Sequence, residues 1–270
     1  MTRVEPVAGE PAAVTTVGDE RALLVADVHA GIEAGLRYER GVELDDRADE
    51  RRSRLCGLID ETDADRLVVL GDLAHRVGAP EGEERDELAA LVAALTDRAS
   101  VTLVEGNHDA GVAEAFADDI DVIGTGGGTL GGSDGVGVVH GHTWPEPSVR
   151  AADVVCMGHE HPQVRLEDPV GGSRTERAWL RGPVWPGVFV DGSDATGDGD
   201  TTDPAETRSA DDASEDLPEI VVFPAFNERS GGTWVNAEGA SFLAPFLPDG
   251  LAAGDAYLLD GTRLGDFRRI

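Results

Sequence analysis

Five short apolar runs, Ala22 to Ala26, Leu67 to Leu70, Val101 to Val104, Val136 to Val139 and Val154 to Met157, each break off into a polar turn. Their length and β-branched content predict buried strands. Between the first three, the apolar spacing turns helical. Asp45 to Glu61 brings Leu55, Leu58 and Ile59 onto one face, and Glu83 to Arg98 does the same with Leu88, Leu91, Val92 and Leu95. Strand, helix, strand, helix, strand predicts parallel βαβ units, with residues 1–20 as a lead-in strand and turn. Beyond Asn107 the chain becomes short strands and glycine-rich turns, including Gly124 to Gly132 and the stretches 163–167, 176–181 and 219–225. Gly126, Gly128 and Gly131 satisfy G-x-G-x-x-G, but no helical pattern follows them. Thr129-Leu130 and Val136 to Val139 predict a hairpin there instead of a dinucleotide loop.

The turns that end the five runs hold all seven histidines. In order they are Asp27-Val28-His29, Gly71-Asp72-Leu73-Ala74-His75, Gly106-Asn107-His108-Asp109, His140-Gly141-His142 and Gly158-His159-Glu160-His161-Pro162. Five strand ends then deliver Asp, Asn and His side chains to one edge of a sheet, where open α/β proteins build their sites. Asp, His and Asn without thiolate suit Mn²⁺, Fe²⁺, Co²⁺ or Zn²⁺ and argue against a structural cysteine zinc site.

At 270 residues the chain can bury a core without staples, so Cys56 and Cys156 need not pair; Cys156, beside Met157 in an apolar run, reads as a small buried hydrophobe. No charged-then-apolar leader and no apolar run near the ~20 residues of a membrane span are present, which predicts a soluble cytoplasmic protein. The net charge is −31, and all 22 basic residues are arginine. An acidic surface without lysine suits a halophilic cytoplasm. The excess is not confined to one tail: outside the acidic segment 191–219, 42 acids still face 21 arginines. Segment 191–219, poor in apolar residues, is expected to be a flexible surface insertion. Charge of this sign opposes non-specific nucleic-acid binding, although concentrated salt screens the overall field.

The five motifs, in this order, resemble the calcineurin-like metallophosphoesterases, and within them the archaeal SbcD-related and bacterial DNA-ligase-associated phosphoesterases. Gly71-Asp72-Leu73-Ala74-His75 and the late stretch Phe223-Pro224-Ala225-Phe226-Asn227, with Gly231-Gly232 after it, carry the subfamily likeness. The resemblance implies one domain over 1–270 with an α/β four-layer sandwich, two mixed β-sheets face to face and flanked by helices. It implies that Asp27, His29 and His161 hold one divalent metal ion, that Asn107, His140 and His159 hold a second, and that Asp72 bridges them, with Mn²⁺ the first expectation. His108 is then the natural general acid, with Asp109 placed to orient its ring.

The function implied is hydrolysis of phosphate esters, chiefly diesters, on nucleotide or nucleic-acid ends. A DNA-repair protein, ligase or helicase is the implied partner class, with no membrane partner. The alternatives are an SbcD-like nuclease and a non-catalytic protein-binding scaffold on the same fold. His75 and His142 are left between supporting, substrate-facing and loop roles, Asn227 and Gly231-Gly232 between turn and pocket rim, and Asp153 reads as a turn residue. Arg37, Arg40 and Arg76 lie near the motifs in sequence and are weighed as phosphate clamps against solvated arginines.

Overall fold

The computed structural model describes residues 4–132, 135–168, 170–185, 217–237 and 239–270. Two sheets form the frame. The first runs β1 (Val4–Pro6), β2 (Ala12–Val17), β3 (Glu20–Val25), β4 (Arg66–Val69), β5 (Ser100–Val104) and β6 (Asp121–Ile123) in sequence order. Its first three strands are antiparallel, and β3 to β6 are parallel. The helices α2 (Ala48–Thr62) and α3 (Gly82–Thr96) make the crossovers predicted from the apolar spacing. Helix α1 (Ile32–Arg40) follows the first histidine turn and carries too few apolar residues, with Gly35 near its centre, to show a helical stripe.

The second sheet contains β7 (Gly128–Leu130), β8 (Val136–Val139), β9 (Val154–Met157), β10 (Gln163–Glu167), β11 (Ser173–Pro183), β12 (Glu219–Val222), β13 (Asp255–Leu258) and β14 (Arg263–Asp266). β7 pairs antiparallel with β8, so the glycine-rich stretch is a hairpin and no dinucleotide loop. β8, β9 and β12 are parallel neighbours, and β11 joins β12 and β13 antiparallel. Of the acidic segment 191–219, residues 191–216 lie outside the described residues, and Glu219 already belongs to β12.

Strand alternation explains why both faces are apolar. Leu23, Val25, Leu67 and Val69 point outward to Leu55, Leu58, Leu88 and Leu91 of the helices. Leu24, Val68, Leu70 and Val104 point inward and meet Val138, Cys156, Val221 and Phe223 of the second sheet. A strand buried on both faces reads as a continuous apolar run, which is the pattern that made these strands legible. The second sheet's other face packs Val139, Val155, Met157 and Ile220 against Val149 of the short helix α4 (Pro147–Arg150) and against Phe246 and Leu251. At about 1.5–3 kcal/mol per buried Leu, Val or Phe, this double core is what fixes the strand ends. Cys56 and Cys156 are buried, free and in different clusters. No helix among the described residues is long and apolar enough to cross a membrane.

Candidate metal centre

The five turns do not line one edge of one sheet, as the pattern predicted. Those carrying Asp27-His29, Asp72 and Asn107-His108 leave β3, β4 and β5 of the first sheet, while His140 and His159-His161 leave β8 and β9 of the second. Because the sheets stack face to face, their strand ends meet. The His159 amide donates to both carboxylate oxygens of Asp27, at 3.2 and 3.1 Å. His140 Nδ1 donates to the Leu70 carbonyl at 2.8 Å. The approach is so close that a Cβ at position 158 would stand 2.8 Å from the Leu70 carbonyl oxygen and 2.9 Å from Ala26 Cβ, so Gly158 is required.

The turns are strained in a consistent way. Among the described residues, six non-glycine residues have positive φ, and five of them are Asp27 (56°), His29 (45°), Asp72 (52°), His159 (69°) and His161 (44°). Left-handed backbone costs about 1 kcal/mol or more per non-glycine residue, and it persists where the surroundings dictate it. Those surroundings are visible. Asp109, fully buried, accepts backbone N–H groups from Asp72 (2.6 Å), Leu73 (2.9 Å) and Gly106 (3.0 Å). Asn227 Nδ2 donates to the carbonyls of Val28 (3.0 Å) and His29 (3.3 Å). Glu160, also fully buried, accepts from the Leu243 and Ala244 amides and from the Thr233 hydroxyl.

The ring nitrogens are set by carbonyls. His29, His140 and His161 each donate Nδ1–H to a backbone oxygen, of Ala74 (3.3 Å), Leu70 (2.8 Å) and Gly231 (2.7 Å), because a carbonyl only accepts. Their Nε2 atoms are thereby turned inward. His29 Nε2 faces His161 Nε2 at 3.3 Å, and His140 Nε2 faces His159 Nδ1 at 3.1 Å. With both Nδ1–H groups committed to carbonyls, His29 and His161 can share a hydrogen bond through Nε2 only with an added proton, or else hold a metal ion there, whereas a neutral His159 can donate Nδ1–H to His140 Nε2.

The site's electrostatics divide accordingly. Burial pushes His29 and His159 down to about 4. His161 and His140 are pushed up to about 9: burial opposes this, but the charge and hydrogen bond of Asp27 prevail for His161, and those of Asp72 for His140. One ring of each facing pair is therefore neutral and the other protonated. Asp72 lies well below the usual carboxylate range; burial works against its ionisation, and the His140 hydrogen bond and charge outweigh it.

The donor atoms form groups that fit a divalent metal centre: Asp27, His29 and His161 converge, as do Asp72, His140 and His159. Asn107 Oδ1 joins the second group, 3.2 Å from His140 Nε2. Asp72 faces both, with Oδ1 3.4 Å from His140 Nε2 and Oδ2 3.9 Å from His29 Nε2. The seven residues read from sequence as ligands are thus brought together.

His108 stands beside them, Nε2 3.8 Å from Asp72 Oδ2, and its amide donates to Asp72 Oδ1 at 3.1 Å. Its ring is oriented through Nδ1 by the His75 carbonyl, not by Asp109, whose carboxylate is taken up by backbone amides. His75 and His142 flank the centre, with ring centroids 5.6 Å from His29 and 5.3 Å from His140 respectively. Arg37 pairs with Glu83 at 2.8 Å, and Arg40 and Arg76 are exposed. Asn227 and Gly231 serve as supports of the ligand turns. Sequence reasoning missed the role of Glu160; its only signal is a carboxylate enclosed between two histidines read as ligands.

Residues 20–181 match the calcineurin-like phosphoesterase model. Among solved structures, the fold is similar to that of the nuclease MPE of Pseudomonas putida, at 21% identity and a TM-score of 0.55, covering 97% of this chain and 100% of that one. Yfce, a phosphoesterase from E. coli, is 20% identical over 54% of this chain and 73% of its own, with a TM-score of 0.34. No curated protein sequence matches the chain. The chain belongs to the calcineurin-like phosphoesterase family.

Proposed function

We propose that this phosphoric ester hydrolase is a phosphodiesterase that works with two divalent ions. The observation that carries the reading is Asp72, whose two oxygens face the two histidine groups at 3.4 and 3.9 Å. Asp27, His29 and His161 hold one ion, Asn107, His140 and His159 the other, and Asp72 is shared. Two like charges a few ångströms apart repel, and a shared carboxylate offsets that repulsion. The ions, Mn²⁺ by first expectation and Fe²⁺, Co²⁺ or Zn²⁺ by donor chemistry, supply an acidified water and neutralise phosphate oxygens.

The chain's own groups do the rest. His108 donates Nδ1–H to the His75 carbonyl and turns Nε2 toward the centre; as the imidazolium it would give its Nε2 proton to the departing alkoxide and become the neutral Nδ1–H imidazole. Asp109 holds the Asp72 turn in its strained form. The substrate class is nucleotides or nucleic-acid ends, supported by the subfamily motifs and by the nuclease named among the structural neighbours. The protein acts as one domain over residues 1–270 in a halophilic cytoplasm, in the company of DNA-repair, ligase or helicase proteins.

The test is hydrolysis of a chromogenic phosphodiester and its monoester analogue in concentrated KCl, with Mn²⁺ or with chelator. Diester cleavage that requires Mn²⁺ and vanishes in Asp72→Ala supports the reading. A folded, metal-loaded protein that cleaves neither compound overturns it.

A further inference from the structure

Next to His161 the surface opens into a groove of about 490 Å³, within the size range of small-ligand sites. It is built as an extension of the metal centre. Glu160, the residue between two ligand histidines, binds one wall through Thr233 and the other through the amides of Leu243 and Ala244. On the Thr233 wall sits Trp234, 44% exposed. Its backbone is bridged to Gln163, two residues beyond His161, so the indole is carried on the order of 10 Å from that ligand.

The platform is rigid. Gln163 donates to the Thr233 carbonyl and Val235 to the Gln163 carbonyl, both at 2.9 Å. Asn236 accepts the Arg165 amide and donates to the Arg165 carbonyl, again at 2.9 Å each. The Arg165 guanidinium lies 5.9 Å from the indole centroid and itself pairs with Glu167. A pre-positioned aromatic face with room beside it binds flat π-systems.

Resting on the proposed phosphoesterase reading, we infer that Trp234 is a stacking subsite for a nucleobase attached to the scissile phosphodiester, so that the substrate class is an unpaired, base-bearing strand or nucleotide. The charge of the molecule favours this mode of recognition. A net charge of −31 opposes a polyanion and leaves little to gain from counterion release, whereas stacking carries no charge and is not screened.

The test compares a short single-stranded thymidine oligonucleotide with an abasic strand of the same length, using the full chain, Trp234→Ala and Trp234→Phe. The ratio of kcat/KM for the base-bearing over the abasic strand is expected to fall roughly 5- to 150-fold in Trp234→Ala, the range of one lost stack, and to recover most of the way in Trp234→Phe. Anisotropy binding of the same two labelled strands in chelator reads the same preference without catalysis. If the wild type prefers the base-bearing strand in chelator, and loses that preference in Trp234→Ala, but hydrolyses neither strand with metal, the phosphodiesterase reading fails and the subsite stands. If Trp234→Ala leaves the ratio unchanged, or lowers both strands equally, the subsite is overturned.

Discussion

The carboxylate of Asp109 accepts the backbone N–H of Asp72 at 2.6 Å, and it does so at zero solvent exposure. An acid next to His108 in sequence is thus spent on holding the left-handed turn that aims Asp72. Asp109→Asn replaces one acceptor oxygen by a donor and leaves backbone amides unpaired. Metal affinity should fall about 10- to 100-fold, as for other supports of ligand residues. Isothermal titration with Mn²⁺ checks this, and an unchanged affinity would show that the turn holds without the carboxylate.

The facing histidines give the metal-free protein a pH signature. His140 and His161 titrate at about 9 in the fold against 6.5 unfolded, so their stabilisation is complete below pH 6.5 and is lost as pH rises toward 9. His29 and His159 are pushed down to about 4, so the fold loses stability as pH falls from 6.5 toward 4, where the unfolded chain takes up those protons. Melting temperatures in chelator should therefore peak near pH 6.5. Metal replaces the two protons, and the loaded protein should lose the alkaline limb of the curve.

Removing the His108 ring leaves all seven donor residues in place. His108→Ala should bind Mn²⁺ with near-normal affinity and lose about 10²- to 10⁴-fold in kcat on esters with alkyl leaving groups. The loss should shrink on a nitrophenyl ester, whose leaving group needs no proton. Equal losses on both would assign His108 a different role.

Behind the Asp27-His29 turn, Arg51 is buried between Glu33 (2.9 Å) and Glu87 (2.6 Å), while Glu33 also meets Arg229 at 2.9 Å. Arg51→Met strands buried carboxylates and should destabilise the fold by about 3–5 kcal/mol. Chemical denaturation at low and high KCl should give similar values, because buried pairs are little screened. The exposed pair Arg37–Glu83 should, by contrast, contribute little and fade with salt.

Much of the centre was legible in the chain because doubly buried strands and metal ligands both leave dense local signals. The runs ending at Ala26, Leu70, Val104, Val139 and Met157 mark strands, and the polar turn after each marks a donor. That the turns come from two sheets was not legible, since pairing between distant strands has no local signature. Neither was the division of labour around His108. Adjacency in sequence suggested Asp109 as its partner, but a β-turn sends successive side chains apart, and the His75 carbonyl reaches the ring instead. α1 escaped notice because its buried stretch, Ile32, Glu33, Ala34 and Gly35, is short and includes a charge satisfied by the distant Arg51 and Arg229.

The hydrogen bond from His161 to Gly231 spans 70 residues, and that from Asn227 to Val28 spans 199. During synthesis the turn bearing Asp27 must therefore wait, unsupported, until nearly all of the sandwich has left the ribosome. Helices α2 and α3 close locally and early, while these long loops bear the larger entropy of closure. The centre accordingly depends on the contacts of longest sequence separation, Asn227 to Val28 among them. A chain that ends before Asn227 and Gly231 lacks the partners that hold the Asp27-His29 and His161 turns.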